Sequence, residues 1–247
     1  MVSQMKHLNS ARNHSDRPKC VLAILHKETS TTGRIGTLLA QHGVQVEHIV
    51  PNMGHTLPKA LELYSGVIVF GGSMSANDDN LPGIRAELDW LPNVLDANIP
   101  YLGVCLGAQL MIRVLGGVVT PDPYGRVEIG YYTIDPEPEH NFLTGSMRHF
   151  HWHQEGFSLP QGVERTATGA LFPNQAYRLK DRPVWGVQFH PEITGAIRQR
   201  WVESSAAMLD LPGAQPTDQQ AEWEIRAEDS IAVWTEQALQ HMGFWNT

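Results

Sequence analysis

The chain has 247 residues, of which 42% are hydrophobic and 18% charged, a composition typical of a folded globular protein and not of a disordered one. Its 26 acidic and 18 basic side chains give a formal net charge of −8 without any basic run, and no stretch is apolar enough for a membrane helix, so neither nucleic acid nor a membrane is an expected partner. Two cysteines cannot form a disulfide framework, which favours a reducing, cytoplasmic location.

Residues 1–19 are polar and lack the apolar segment of a secretory signal, so they predict a loose N-terminal tail. Short apolar runs then alternate with helical patterns as far as residue 115. Three runs have the composition of buried strands: Cys20–Leu25, Gly66–Phe70 and Ile99–Val104. A further strand candidate, Val44–Val50, alternates apolar and polar residues. The alternation of strand and helical patterns predicts an α/β fold in which helices cover both faces of a mostly parallel sheet. Because Cys20 begins a core strand, we expect its thiol to be buried and inert.

The character of the chain changes between Gly117 and Gln188, where β-rich runs are separated by Pro and Gly turns. The last of these runs is Val184–Phe189. Because no linker separates the two halves, these runs predict a small antiparallel β extension of the same domain.

Helical patterns follow Pro191. Thr217 is predicted to cap the second helix, with Gln220 three residues later completing a capping box. We therefore expect residues 20–247 to form one domain, in which 193–247 are a helical C-terminal extension docked on the sheet.

The most informative segment is Gly103-Val104-Cys105-Leu106-Gly107, which ends a predicted strand and opens a predicted helix. Glycines on both sides of a nucleophile permit a sharp strand-to-helix turn that presents its side chain above the sheet edge. A cysteine there lies at a helix N-terminus, whose dipole favours the thiolate. The alternative is that Cys105 is only a small buried hydrophobic residue.

A nucleophilic thiol needs a base, and the base needs an orienting group. In the segment Gln188-Phe189-His190-Pro191-Glu192, the imidazole and the carboxylate are two residues apart, so both side chains project from one face of an extended chain. The alternative for His190 is a surface or satisfied core histidine. The Gly71-Gly72 pair also follows a predicted strand and could supply backbone N–H donors to an oxyanion.

Together these segments resemble the class I glutamine amidotransferases of the triad type. The likeness runs from about Cys20 to Glu192 and is carried by two motifs, Gly103–Leu110 and Gly186–Glu192. The likeness is greatest with stand-alone proteins that are similar to the glutaminase domain of GMP synthase. The resemblance implies a flavodoxin-like sheet with a small antiparallel extension.

The same resemblance implies a role for each matching residue. Cys105 corresponds to the nucleophile, His190 to the general base and acid, and Glu192 to the residue that orients the imidazole. The backbone N–H groups of Gly72 and Leu106 correspond to the oxyanion hole.

Substrate contacts are implied for Gln109, His153 and Glu155, although many relatives have Asp at the last of these positions. Many members also read Gly-Gly-Pro where this chain has Gly71-Gly72-Ser73. The missing proline frees the backbone, so we expect a less rigid oxyanion hole or one that a substrate or partner orders.

The implied reaction is hydrolysis of the side-chain amide of glutamine through a γ-glutamyl thioester, with release of ammonia. A separate synthase subunit is then a possible partner. One alternative is a γ-glutamyl peptidase or hydrolase that needs no ammonia acceptor, and a second is a non-catalytic assembly subunit.

No cofactor or metal site is expected. His149, His151 and His153 alternate and would share one face of a strand, where two such histidines can bind zinc. Solvated strand histidines are the interpretation that we adopt.

Overall fold

Strands and helices alternate along the first half of the chain in the computed structural model, which describes residues 20–139, 145 and 147–245. The predicted tail lies outside these residues. The helices are α1 (Gly33–Gln41), α2 (Pro82–Ala97), α3 (Leu106–Val114), α4 (Gly195–Ser204) and α5 (Thr217–His241). The strands are β1 (Cys20–Ile24), β2 (Gln45–Ile49), β3 (Gly66–Val69), β4 (Tyr101–Val104), β5 (Val119–Pro121), β6 (Glu128–Pro136), β7 (Met147–His153), β8 (Glu155–Phe157), β9 (Val163–Thr168), β10 (Ala176–Leu179) and β11 (Val184–Val187).

Nine of the described strands form one sheet in the order β2-β1-β3-β4-β11-β10-β9-β6-β7. The first five are parallel, and the other four extend the sheet in antiparallel pairs. The parallel order is that of flavodoxin-like folds, which confirms the predicted fold class. In such sheets, ligand sites lie beyond the carboxyl ends of the parallel strands.

Helices cover both faces of this sheet, as predicted. Successive residues of a strand point to opposite faces. Val21 and Ala23 of β1 accordingly join one core cluster with α1 and α5, whereas Leu22 and Ile24 join another with α2 and α3. Because α5 packs on the same face as α1, the C-terminal helix covers the sheet, and one domain for 20–247 remains our proposal. No helix in the described ranges is long and apolar enough to cross a bilayer.

Three local predictions need correction. Val184–Phe189 is not simply part of the antiparallel extension, because β11 pairs parallel to β4 and so joins the two halves of the sheet. Thr217 is the first residue of α5 and not its cap, since Pro216, with φ −56° and ψ 147°, holds the N-cap position in an extended conformation. Cys20 is half-buried and not fully buried, because it stands at the first position of its strand.

Candidate active site

Cys105 lies at the sharp turn between β4 and α3. Its φ of 50° and ψ of −104° are outside the conformations that non-glycine residues favour, a kind of strain that is concentrated at functional sites. A side chain on Gly107 would collide with the carbonyl oxygen of Val69, so only glycine lets α3 begin this close to β3. The Cys105 N–H donates to the Val187 carbonyl over 2.8 Å, which ties the turn to β11. The thiol therefore stands at a helix N-terminus above the carboxyl edge of the sheet.

His190 and Glu192 follow β11, the strand next to β4. The backbone N–H of His190 donates to the Phe150 carbonyl over 2.8 Å, and its Nδ1 donates to Glu192 Oε1 over 2.8 Å. Both side chains are buried. This hydrogen bond fixes the imidazole ring and leaves Nε2 as the nitrogen that can exchange a proton with a reacting group.

The imidazole and the thiol pack against the same glycine. A Cβ placed on Gly71 would lie 2.7 Å from His190 Cε1 and 3.5 Å from Cys105 Cβ. Burial lowers the pKa of His190, but the Glu192 carboxylate and the Cys105 sulfur outweigh it and raise that pKa to about 10. This shift favours the doubly protonated ring at neutral pH.

The two predicted oxyanion donors belong to the wall of one cavity. Gly72 and Leu106 line it together with Cys105, and its volume is about 220 Å³. Leu106 is the first residue of α3, where backbone N–H groups have no partner within the helix. The start of α3 therefore places the Leu106 N–H near the thiol, and the end of β3 leads to the Gly72 N–H in the same cavity wall.

Gln109 and Glu155 line the same cavity, and the structure ties them together. Gln109 Nε2 donates to the Glu155 carbonyl over 3.0 Å, and the Ser75 hydroxyl donates to Glu155 Oε1 over 3.0 Å. His153 Nδ1 also donates to the Glu155 carbonyl over 3.0 Å. His153 lines the cavity as well, and its other ring nitrogen, Nε2, lies 3.0 Å from Glu128 Oε2.

Sequence reasoning missed Gln188. Its Nε2 donates to Cys105 Sγ over 3.5 Å, and its Oε1 accepts from Gln109 Nε2 over 3.1 Å. The side chain is fully buried. A signal was present, since Gln188 precedes His190 by two residues and so projects toward the same face of the extended chain.

The interpretation of the alternating histidines as solvated is wrong, because His149, His151 and His153 are all buried. His149 packs against Trp234 of α5, His151 against Phe189 and His153 against Phe172. Candidate ligand atoms of Glu128, His151 and His153 lie within 4.8 Å of one another. The same atoms are hydrogen-bonded, with 3.0 Å between His153 Nε2 and Glu128 Oε2, and Gln175 also donates to that carboxylate. The geometry gives this network a supporting role behind Glu155, and the expected lack of a metal stays a prediction.

Two further cavities adjoin the His190 side of the site. A small one of about 110 Å³ is lined by His190, Lys27 and Trp201. It shares Lys27 and Trp201 with a larger cavity of about 470 Å³, which Arg200 also lines. Sequence reasoning did not single out Lys27 or Arg200, because neither residue belongs to a motif.

Comparison with known families gives this geometry a context. The family model described as glutamine amidotransferase class-I matches residues 24–205. The chain belongs to the class I glutamine amidotransferase family. The resemblance drawn from the elbow and from the His-Pro-Glu segment is thereby confirmed.

Curated relatives of this amidotransferase include GMP synthases. A glutamine-hydrolysing GMP synthase of Porphyromonas gingivalis is 37% identical over 144 residues, which are 56% of this chain and 26% of that protein. One subunit of a glutamine-hydrolysing GMP synthase of Natronomonas pharaonis is 43% identical over 109 residues, 41% of this chain and 57% of that relative. The chain thus spans about a quarter of the length of the first relative and little more than half of the second.

Solved structures match over a larger share. A glutamine amidotransferase from Thermotoga maritima superposes with a TM-score of 0.82 at 28% identity, covering 90% of this chain and 97% of that one. Another from Methylobacillus flagellatus gives a TM-score of 0.84 at 26% identity, covering 91% and 94%. The described amidotransferase fold therefore corresponds to nearly the whole of these chains.

Proposed function

We propose that this amidotransferase hydrolyses the side-chain amide of glutamine, with Cys105 as nucleophile, His190 as general acid and base, and Glu192 as the group that orients His190. The observation that carries the proposal is the buried arrangement of a thiol at a strained elbow, an imidazole packed against the same glycine, and a carboxylate 2.8 Å from the imidazole.

In this mechanism the Cys105 thiolate attacks the amide carbon, and the N–H groups of Gly72 and Leu106 stabilise the oxyanion. His190 gives its proton to the departing nitrogen, which leaves as ammonia. His190 then takes a proton from water, whose oxygen attacks the thioester carbon. Glutamate leaves, and the Cys105 sulfur and the His190 proton return to their starting state.

Binding of the glutamyl group is assigned to the cavity that holds the thiol. Gln109, His153 and Glu155 line it, and the hydrogen bonds that Gln109 and His153 donate to the Glu155 carbonyl hold the three residues in place without a ligand. A carboxylate such as that of Glu155 can pair with the α-ammonium group of glutamine. Since one relative is named as a single subunit of GMP synthase, a separate synthase subunit that accepts the ammonia is a possible partner. Both cysteines are free thiols, which suits a reducing cytoplasm.

A second candidate function is hydrolysis of γ-glutamyl conjugates. The amine that leaves receives its proton from His190 and so departs toward the two cavities on that side. The larger one, at about 470 Å³, far exceeds the needs of ammonia, and Lys27 and Arg200 could pair with a carboxylate on a larger amine.

The deciding experiment measures glutamate release by the purified full chain from glutamine, from γ-glutamylglycine and from γ-glutamylethylamide. Turnover of glutamine supports a glutaminase and directs the search to an ammonia-accepting partner. Preference for γ-glutamylglycine over both other amides supports the second candidate. If glutamate is released from none of the three compounds and Cys105 does not react with iodoacetamide, the result supports a non-catalytic assembly subunit.

Gln188 provides a prediction for this mechanism. Gln188→Leu removes the donor to Cys105 Sγ and is expected to lower kcat for glutamine by roughly 10- to 100-fold, since a hydrogen bond to a charged group is lost. Steady-state kinetics and the pH dependence of thiol alkylation measure the effect. Gln199→Leu, an exposed position on α4, is the matched control. Unchanged kcat with an unchanged alkylation profile would show that Gln188 only fills space.

The His190–Glu192 pair predicts a pH dependence of stability. The folded-state pKa of His190, about 10, lies above the ordinary value of about 6.5, so the stabilisation is complete below about pH 6.5 and is lost as pH rises to about 10. The difference in the free energy of unfolding between wild type and Glu192→Gln should therefore shrink over that interval. Urea unfolding at several pH values measures it, with exposed Glu203→Gln as control. A difference that stays constant with pH would contradict the assignment.

A further inference from the structure

The peptide between Gly71 and Gly72 needs something to hold its orientation. A glycine pair has little steric resistance to a peptide flip, and Ser73 does not restrict it as the proline of many family members would. If this peptide turned over, the Gly71 carbonyl oxygen would replace the Gly72 N–H at the oxyanion position. An oxygen there would repel the oxyanion that the N–H is proposed to stabilise.

A buried histidine that is not among the residues lining the cavity binds this peptide. His26 follows β1, and its Nδ1 lies 3.1 Å from the Gly71 carbonyl oxygen. A carbonyl oxygen only accepts, so Nδ1 is the donor. The ring also contacts the next residue, because a Cβ on Gly72 would lie 2.9 Å from His26 Cγ. His26 therefore fixes both the carbonyl and the adjoining Cα.

The other ring nitrogen of His26 faces a buried carboxylate. Nε2 lies 3.1 and 3.2 Å from the two carboxylate oxygens of Glu87 on α2, and both side chains are fully buried. With an acceptor facing each nitrogen, both nitrogens can donate, which favours the doubly protonated ring. Burial lowers the pKa of His26, but the charge and hydrogen bond of Glu87 outweigh it, and the pKa is raised.

The orientation of the carbonyl determines that of the N–H. The peptide is trans, so the Gly72 N–H points away from the carbonyl that His26 binds. Gly72 lines the cavity of Cys105 and Leu106, and within the described part of the chain its N–H makes no hydrogen bond. A charged donor on the carbonyl also polarises the peptide and makes that N–H a stronger donor.

We infer that His26, with Glu87 as its counter-ion, is a positioning residue that holds the Gly71–Gly72 peptide in the orientation where the Gly72 N–H faces the thiol. It touches no reacting atom and acts through the oxyanion hole. The inference rests on the proposed function, because an oxyanion hole has a role only if acyl transfer takes place at Cys105.

The test compares two double variants, each with Glu87→Gln so that no buried charge is left unpaired. His26→Leu removes the donor to Gly71, whereas His26→Asn keeps an N–H at the same distance along the side chain. The leucine variant should lose roughly 10²- to 10³-fold in kcat for glutamine with KM little changed, the usual cost of a missing oxyanion donor. The asparagine variant should recover most of that loss.

A second readout separates positioning from general damage. Alkylation of Cys105 by iodoacetamide forms an S–C bond and expels iodide without creating an oxyanion, so its rate should be the same in wild type and in both variants. Adding Ser73→Pro should restore several-fold activity to the leucine variant, because proline restricts Gly72 by another route. The matched control is His42→Leu with Glu236→Gln, a histidine–glutamate pair between α1 and α5.

The outcomes are distinct. If the wild-type protein hydrolyses none of the γ-glutamyl amides, the proposed function is wrong. If the wild type is active and the folded leucine variant has the same kcat, the inference about His26 is wrong while the proposed function stands. The same conclusion follows if alkylation of Cys105 slows in parallel with kcat. If the leucine variant does not fold, NMR of isotope-labelled histidine in wild type decides: an unprotonated His26 Nδ1 at neutral pH overturns the inference, and a protonated one supports it.

Discussion

Cys105→Ser is expected to lower glutamate release from glutamine by roughly 10⁴- to 10⁶-fold, the range found when a covalent nucleophile is removed from a triad. The hydroxyl that replaces the thiol remains protonated at neutral pH, and the His190 imidazolium cannot act as its base. The hydroxyl groups that line the described cavity belong to Ser73, Ser75 and Ser205, and none of these residues stands at the turn between β4 and α3. The measurement is release of glutamate and ammonia under saturating glutamine, with circular dichroism to show that the variant is folded.

The second cysteine of the chain is the matched control for that experiment. Cys20 is half-buried on β1, and burial together with nearby Glu47 raises the pKa of its thiol, so it is a poor nucleophile at neutral pH. Cys20→Ser should keep wild-type activity. Retention of activity by Cys105→Ser would remove Cys105 from the proposed role, whereas loss of activity in folded Cys20→Ser would contradict the assignment of Cys20 as a residue without a role in the reaction.

His190→Asn is expected to cost roughly 10⁴-fold in kcat, because the variant lacks both the acid for the leaving nitrogen and the base for water. It should also slow alkylation of Cys105 at neutral pH, since the cation that favours the thiolate is gone. The pH profile of alkylation should then move toward that of an ordinary thiol. Glutamate release and alkylation, measured on the same preparation, check both effects.

The control for this variant is His48→Asn on β2, because it replaces the imidazole by the same carboxamide at an exposed position outside the site. It should match wild type in both assays. If His190→Asn slowed turnover but left the alkylation profile untouched, the thiolate–imidazolium pair would be wrong even though a catalytic role remained.

The parts of the site that could be predicted from sequence are local. The elbow around Cys105 is contained in five consecutive residues, and the His190–Glu192 pair depends only on the two-residue period of an extended chain. The parallel half of the sheet follows from alternating apolar runs and helical patterns. Each of these features depends only on residues that are close together in the sequence.

What could not be predicted depends on contacts between distant segments. His26 and Glu87 are 61 residues apart, and neither stands in a recognisable motif. Gln188 was visible in the sequence, but its bond to Cys105 exists only because β11 lies beside β4. The burial of three histidines on β7 likewise depends on which distant segments pack against that strand. Spacing within a segment carries no information on such partners.

The place of β11 in the sheet also bears on how this molecule is made. Its Val184 pairs with Tyr101 of β4, 83 positions earlier, so the strand that brings His190 to Cys105 is the last of the parallel set to be synthesised. Until it arrives, β4 is an open edge with unpaired backbone groups, and closing so long a loop is slow. A nascent chain therefore carries its thiol for much of its synthesis without a proton acceptor. The proposed triad is therefore assembled late, in the same step that pairs the exposed edge of β4 and removes it as a site of aggregation.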